Sequence, residues 1–223
     1  MKVVSVIPGK GGVGTTMLAT SLSSAAAHQG HSVLLLAEHN SGALWIAEQN
    51  QKSLPFKTKP IWFRDLALHL EWARFADFDL VIIDCPRDLS IAAICAPSSD
   101  LVVMPCRPAI FDMHSTRKAL KLVQSFQNIV IVVLTHCDKF DPDTLDARQI
   151  FLKDGAELPF DDIYRRQAYS HAMEVGGTIL ETKPNSEEAE KIRSIWRYIS
   201  NRLFGAADIR QKPQRKTKLK AVA

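Results

Sequence analysis

Near the N-terminus the chain reads VVSVIPGKGGVGTTMLATSL, Val3 to Leu22. No other stretch limits the possible folds so tightly. An apolar run of strand character enters four closely spaced glycines, Gly9, Gly11, Gly12 and Gly14, and leaves as a segment with helical spacing. Glycines at that spacing let successive backbone N–H groups converge on one anion, and the helix start directs its positive end at the same point. Gly9 to Thr16 follows the spacing G-x-x-x-x-G-K-[ST] except that Thr15 stands where lysine belongs. Thr16 falls where a hydroxyl ligand for Mg²⁺ is placed.

The rest of the chain supports an open α/β sheet. Val/Ile/Leu-dense runs at Lys2–Ile7, Ser32–Ala37, Asp79–Asp84, Asp100–Pro105 and Ile129–Thr135 lack polar alternation, so both faces of each strand are expected to be covered. Helix-period segments lie between them. Gly14–Gln29 carries Leu18, Leu22, Ala25 and Ala26 on one face; Phe111–Phe126 carries Ala119, Leu120, Val123 and Phe126. A last helix over Ser186–Phe204 stripes Ile192, Ile195, Trp196, Ile199 and Leu203. Asn50–Phe63 reads as a loop holding one short strand. The expected fold is a doubly wound, mainly parallel sheet flanked by helices, with ligands at the carboxyl ends of the strands.

At 223 residues, 46% hydrophobic and 23% charged, one domain over residues 1–204 is the expectation. No run reaches the roughly 18 apolar residues of a membrane span. Cys85, Cys95, Cys106 and Cys137 are widely spaced, which suits buried, reduced thiols of a cytoplasmic protein. The net charge of +4 belongs to one end. Six of the 28 basic residues lie from Arg210 onward with no acid among them, leaving 22 basic against 24 acidic before it. Residues 205–223 read as a basic tail without packing, suited either to non-specific DNA contact or to simple solvation.

The run KGGVGTT resembles the deviant phosphate loop of the ParA/MinD family of P-loop ATPases, whose pattern is K-G-G-x-G-K-[ST]. Three further segments extend the likeness: FDLVIIDCP (Phe78–Pro86), DLVVMPCRPAIFDM (Asp100–Met113) and RRQAYSHAMEVGGTILE (Arg165–Glu181). The resemblance implies ATP and Mg²⁺ held by Gly9, Lys10, Gly11, Gly12, Val13, Gly14, Thr15 and Thr16. Thr16 and Asp84 would serve the metal. Lys10 and Asp84 are the catalytic candidates, with Lys10 matching the lysine that reaches a partner subunit's phosphates. It also implies a homodimer with nucleotide at its interface, an adaptor protein, and an adenine contact near THCDKF (Thr135–Phe140). The neighbourhood of Arg165 and Arg166 would belong to the dimer or DNA surface.

The departures bear on chemistry. The family's second strand ends in D-x-D-P-Q, whose acids support Mg²⁺ and the attacking water; here the text is AEHNS, with Ala37 and His39 at the acidic positions. Glu38 is the acid nearby, but alternation along a strand turns it the other way. Loss of one lysine contact costs about 1.5–3 kcal/mol of binding. Losing the lysine and a carboxylate together removes far more from hydrolysis. The expected function is a nucleotide-dependent dimeric switch in partition or positioning, of the small plasmid type, with weak or absent turnover. The alternative is a non-DNA-binding accessory subunit of a cellulose-synthesis or pilus machine, since DCPRDLS (Asp84–Ser90) resembles the cellulose type. Arg87 and Arg107 flank the expected site, while His114, His136 and His171 read as scattered structural or exposed residues.

Overall fold

The structure, a computed structural model, describes residues 1–49 and 54–205. The four residues 50–53 and the tail 206–223 lie outside it, and with them the expected basic tail.

β1 (Lys2–Val6) runs into α1 (Thr15–His28), followed by β2 (Val33–Glu38), α2 (Gly42–Gln49) and β3 (Lys57–Ile61). Then come α3 (Leu66–Phe75), β4 (Leu80–Asp84), α4 (Leu89–Cys95), β5 (Leu101–Cys106), α5 (Ile110–Gln124) and β6 (Ile129–Cys137). α6 (Pro142–Lys153), the short β7 (Ile163–Tyr164), α7 (Gln167–Glu174), α8 (Ile179–Thr182) and α9 (Glu187–Phe204) complete the order. The strands form one sheet, β3-β2-β4-β1-β5-β6-β7, with every pairing parallel. The five strands expected from the sequence are all present, and β3 is the short strand expected after residue 50. β7 and the short helices carry too few periodic residues to have been read in advance.

Because β1 sits between β4 and β5, the chain leaves it in one direction for β2 and reaches β5 in the other. That reversal opens the crevice where doubly wound sheets take ligands. Two cores follow from strand alternation. Val4, Val6, Leu35, Ala37, Leu80 and Ile82 face α1 and α9, whereas Val3, Leu34, Leu36, Val81 and Ile83 face the α3–α6 layer.

α1 departs from the expected single apolar face: every residue from Met17 to Ala26 is buried. It lies between the sheet and α7–α9, so its small residues matter more than its periodicity. Thr20 donates within the helix to the Thr16 carbonyl at 2.8 Å and Ser23 to that of Ala19 at 2.8 Å, while Ser24 donates outward to the Glu181 carboxylate. Phe126 corrects the stripe assigned to Phe111–Phe126. The helix ends at Gln124, Gln127 turns the chain at φ 62°, and Phe126 is left exposed.

α9 starts as its sequence dictates. Ser186 caps it by accepting from Ala189 N, and Glu187, Glu188 and Glu190 fill the first turn against the helix dipole. The Trp196 indole donates to Gln29 at 2.7 Å, so the large ring is buried without an orphaned N–H. The basic residues on this helix are paired: Arg193 and Arg197 with Glu190, Lys191 with Asp161, Arg202 with Glu157. They do not form one basic face.

Candidate functional site

The loop Ile7–Gly14 leaves β1 in the switch-point crevice and delivers Gly14 as the N-cap of α1. Gly12 and Gly14 have φ of 76° and 88°, in the left-handed region that side chains rarely adopt. Gly9 is held for another reason: a Cβ there would collide with the backbone of Thr116 in α5. The loop is buttressed on three sides. Thr135 on β6 donates to the Val13 carbonyl at 2.8 Å, Arg107 after β5 donates to the Gly12 carbonyl, and Lys10 pairs with Asp112.

The two metal candidates lie side by side. Thr16 Oγ1 donates to Asp84 Oδ2 at 2.9 Å, and Asp84 ends β4 beside β1, opposite Val6. Burial pushes the Asp84 carboxyl up to about 6, while the Thr16 hydroxyl pulls the other way. A carboxylate so poorly compensated suits a cation. Together with glycine amides and a helix N-terminus, this donor set fits a phosphate with Mg²⁺. Among the described residues there is no cluster of three or more His, Cys, Asp or Glu that could hold a metal without such help.

The far side of the crevice is different. Ala37 lies in register with Asp84 and is fully buried, so a methyl group occupies the position that is acidic in the pattern D-x-D-P-Q. Glu38 is exposed, and His39 is drawn toward the sheet edge, its ring 4.9 Å from that of Trp62. Instead of an acid, the turn into α2 approaches the site; a Cβ on Gly42 would lie 3.4 Å from Thr16 Cγ2.

Three residues acquire positions that spacing did not reveal. Asp112, in the first turn of α5, is buried and binds Lys10 within the same subunit, with Arg107 Nε 3.8 Å from its other oxygen. Lys10, expected to reach across a dimer, is therefore folded back here. His136 follows Thr135 at φ 55° and packs against Gly14, its Nδ1 buried without a partner. Burial lowers its pKa, and Arg107 and Arg165 lower it further, so the ring is neutral at pH 7. A charge-bearing residue inside PCRPAIFD next to a phosphate loop was the available signal for Asp112; for His136 there was none beyond its place at a strand end. Arg87 is exposed and passes 3.8 Å from a Cβ built on Gly11. Arg166 lies 3.6 Å from Glu188, and the Arg165 amide donates to the Cys137 carbonyl. All four cysteines are buried and free. No described helix is long and apolar enough to cross a membrane.

No protein-family model matches the sequence. A curated relative, the maintenance of carboxysome distribution protein A of Gloeobacter kilaueensis, is 28% identical over 204 residues, covering 85% of this chain and 89% of its own. Among solved structures, septum site-determining protein MinD of Pyrococcus horikoshii, complexed with Mg-ADP, aligns with a TM-score of 0.74 at 16% identity, covering 89% of this chain and 95% of its own. A plasmid partition protein of Borrelia burgdorferi, bound to AMPPNP, aligns at 0.72 and 15% identity, covering 91% and 99%. Crevice, loop and relatives agree: the chain has the fold of the ParA/MinD P-loop ATPases, and the resemblance read from its sequence stands.

Proposed function

We propose that this protein binds ATP with Mg²⁺ in the Gly9–Thr16 loop and works as a nucleotide-dependent dimeric switch in intracellular positioning or partition, with slow or no hydrolysis. One observation carries the reading: the Thr16–Asp84 pair and the glycine loop are assembled, while buried Ala37 sits in register with Asp84 where a water-orienting acid would stand.

The loop N–H groups and the start of α1 would hold phosphate oxygens, and Thr16 and Asp84 would hold the metal. Mg²⁺, when bound, neutralises phosphate charge and draws Asp84 into its ionised form. Nothing at Ala37 accepts a proton from water or orients it, and Thr15 brings no charge to the phosphates. Binding thus retains most of its determinants while hydrolysis loses two. Lys10 then has two alternative anions, its own Asp112 and a partner's phosphates. Exchange between them couples nucleotide to dimerisation.

The relative and the solved neighbours are named for carboxysome distribution, septum siting and plasmid partition, which supports a positioning role. The cellulose- or pilus-type alternative gains no support from them. An adaptor protein and a cytoplasmic location belong to the same proposal, as does DNA contact through residues 205–223. Deleting residues 206–223 tests that last contact: DNA retention at low salt should fall, and unchanged retention removes DNA from the proposal.

The central experiment is a fluorescent-nucleotide titration with a sizing measurement on the wild type and Lys10→Ala. The wild type should bind Mg-ATP and shift to a dimer, and Lys10→Ala should bind but stay monomeric. If neither binds at millimolar ATP with Mg²⁺, the proposal is wrong.

A further inference from the structure

A phosphate loop without its lysine needs another cation or must forgo one. We infer that Arg107 is that cation: its guanidinium lies over the loop and contacts the nucleotide phosphates in place of a side chain at Thr15. The inference rests on the nucleotide-binding reading above.

The sheet itself places Arg107. β5 pairs with β1 in the register Val4↔Leu101 to Val6↔Val103, so the residue just past β5 emerges beside the loop that follows β1. There the guanidinium is anchored at two points. Nη2 donates to the Gly12 carbonyl and would lie 3.2 Å from a Cβ at Gly12, a close approach at a residue whose φ of 76° already favours glycine. Nε stands 3.8 Å from Asp112 Oδ2, buried and without a hydrogen-bond acceptor. The side chain as a whole remains 39% exposed. A guanidinium has five N–H bonds in a rigid fork that matches phosphate oxygens. One edge is fixed to the loop, which leaves donors for an anion in the cradle at little further entropic cost.

The other cations near the loop are less suited. Lys10 pairs with Asp112 in its own subunit and, in the proposed dimer, turns to the partner's phosphates, so in neither state does it serve its own loop. Arg87 is exposed, with no ion pair or hydrogen bond fixing its head among the described contacts. His136 is held neutral by its burial and by Arg107 itself. The buried Asp112 carboxylate adds a charge partner for Arg107 at 3.8 Å while its closer pairing is with Lys10.

The test is a titration of mant-labelled ATP, ADP and AMP, with Mg²⁺, against the wild type, Arg107→Ala, Arg107→Gln, Thr15→Lys and the double variants. Loss of a charge-assisted phosphate contact should weaken ATP binding roughly tenfold to a hundredfold in either Arg107 variant. AMP should be nearly unaffected. Arg107→Gln keeps a donor for Gly12 and serves if the alanine variant does not fold. Thr15→Lys should restore at least tenfold of ATP affinity in the Arg107→Gln background and add much less to the wild type, because the two cations serve one anion. A purely structural Arg107 would give equal losses for all three nucleotides and no rescue. Wild-type binding that both Arg107 variants leave within twofold overturns the role of Arg107 alone. Absence of wild-type binding overturns the nucleotide reading and this inference with it.

Discussion

Asp84→Asn should stabilise the protein while removing its metal site. The Asp84 carboxyl is raised from an ordinary 3.8 to about 6, first by burial, with the Thr16 hydroxyl opposing. Between those values the folded chain holds a proton that the unfolded chain has released, so stability falls as pH rises through this window. At about 1.4 kcal/mol per pH unit, the full interval amounts to roughly 3 kcal/mol, all of it lost above pH 6. Asparagine cannot ionise, yet it retains an oxygen to accept from Thr16. Urea unfolding without metal or nucleotide should therefore find Asp84→Asn and wild type nearly equal at about pH 3, with about 1 kcal/mol of the gap already open at about pH 4.5. At pH 8 the variant should be more stable by up to roughly 3 kcal/mol, a midpoint shift on the order of 1 M. Saturating Mg-ATP should close the gap by stabilising only the wild type. A pH-independent difference between the two proteins, or a variant no more stable at pH 8, would refute the claim that Asp84 carries uncompensated charge.

The glycines of the loop should separate by mechanism. Gly9→Ala drives a methyl into the Thr116 backbone and should abolish nucleotide binding with a melting point lowered by several degrees. Gly11→Ala, whose nearest neighbour would be Arg87 Cδ at 3.8 Å, should bind within a fewfold of wild type. Glu181 caps α8 and ties it to α1. Burial pushes its carboxyl up, but donations from His28, Ser24 and Thr178 outweigh that and hold it down at about 2. Its ionised form thus adds stability above pH 4.5 that is lost as pH falls toward 2, and Glu181→Gln should cost about 2–3 kcal/mol at pH 7 in urea unfolding, a deficit that shrinks in acid. Lys10→Ala strips buried Asp112 of its closer cation and should cost about 1–2 kcal/mol in the monomer, with Lys10→Ala/Asp112→Ala less than additive.

Much of the fold was written locally. Unbroken Val/Ile/Leu runs separated by helical segments imply strands covered on both faces, and such a sheet is parallel because its crossovers are helices. The glycine spacing between a strand and a helix located the loop, and the family resemblance of FDLVIIDCP singled out Asp84 as its candidate metal partner. Those features depend on neighbours in sequence, whose backbone demands are met within a few residues. The extent of burial of α1 was not of that kind. Its alanines and serines have weak periodicity, and only the layer of α7–α9 outside it decides that all sides are covered.

The same division runs through the site. From the sequence alone came the glycines, Lys10, Thr16, Asp84 and the absence of acids at Ala37 and His39, since each is read from its place in a short motif. Tertiary structure alone decided that Lys10 meets Asp112, about a hundred residues away, and that Arg107 reaches over Gly12. It also decided that His136 packs against Gly14 and that His39 turns to Trp62. The physical reason is strand order. β1 is flanked by β4 and β5 rather than by its successor β2, so the residues that surround the loop come from ends of strands distant in the chain. The opening motif specifies a cradle; the sheet decides which charges stand around it.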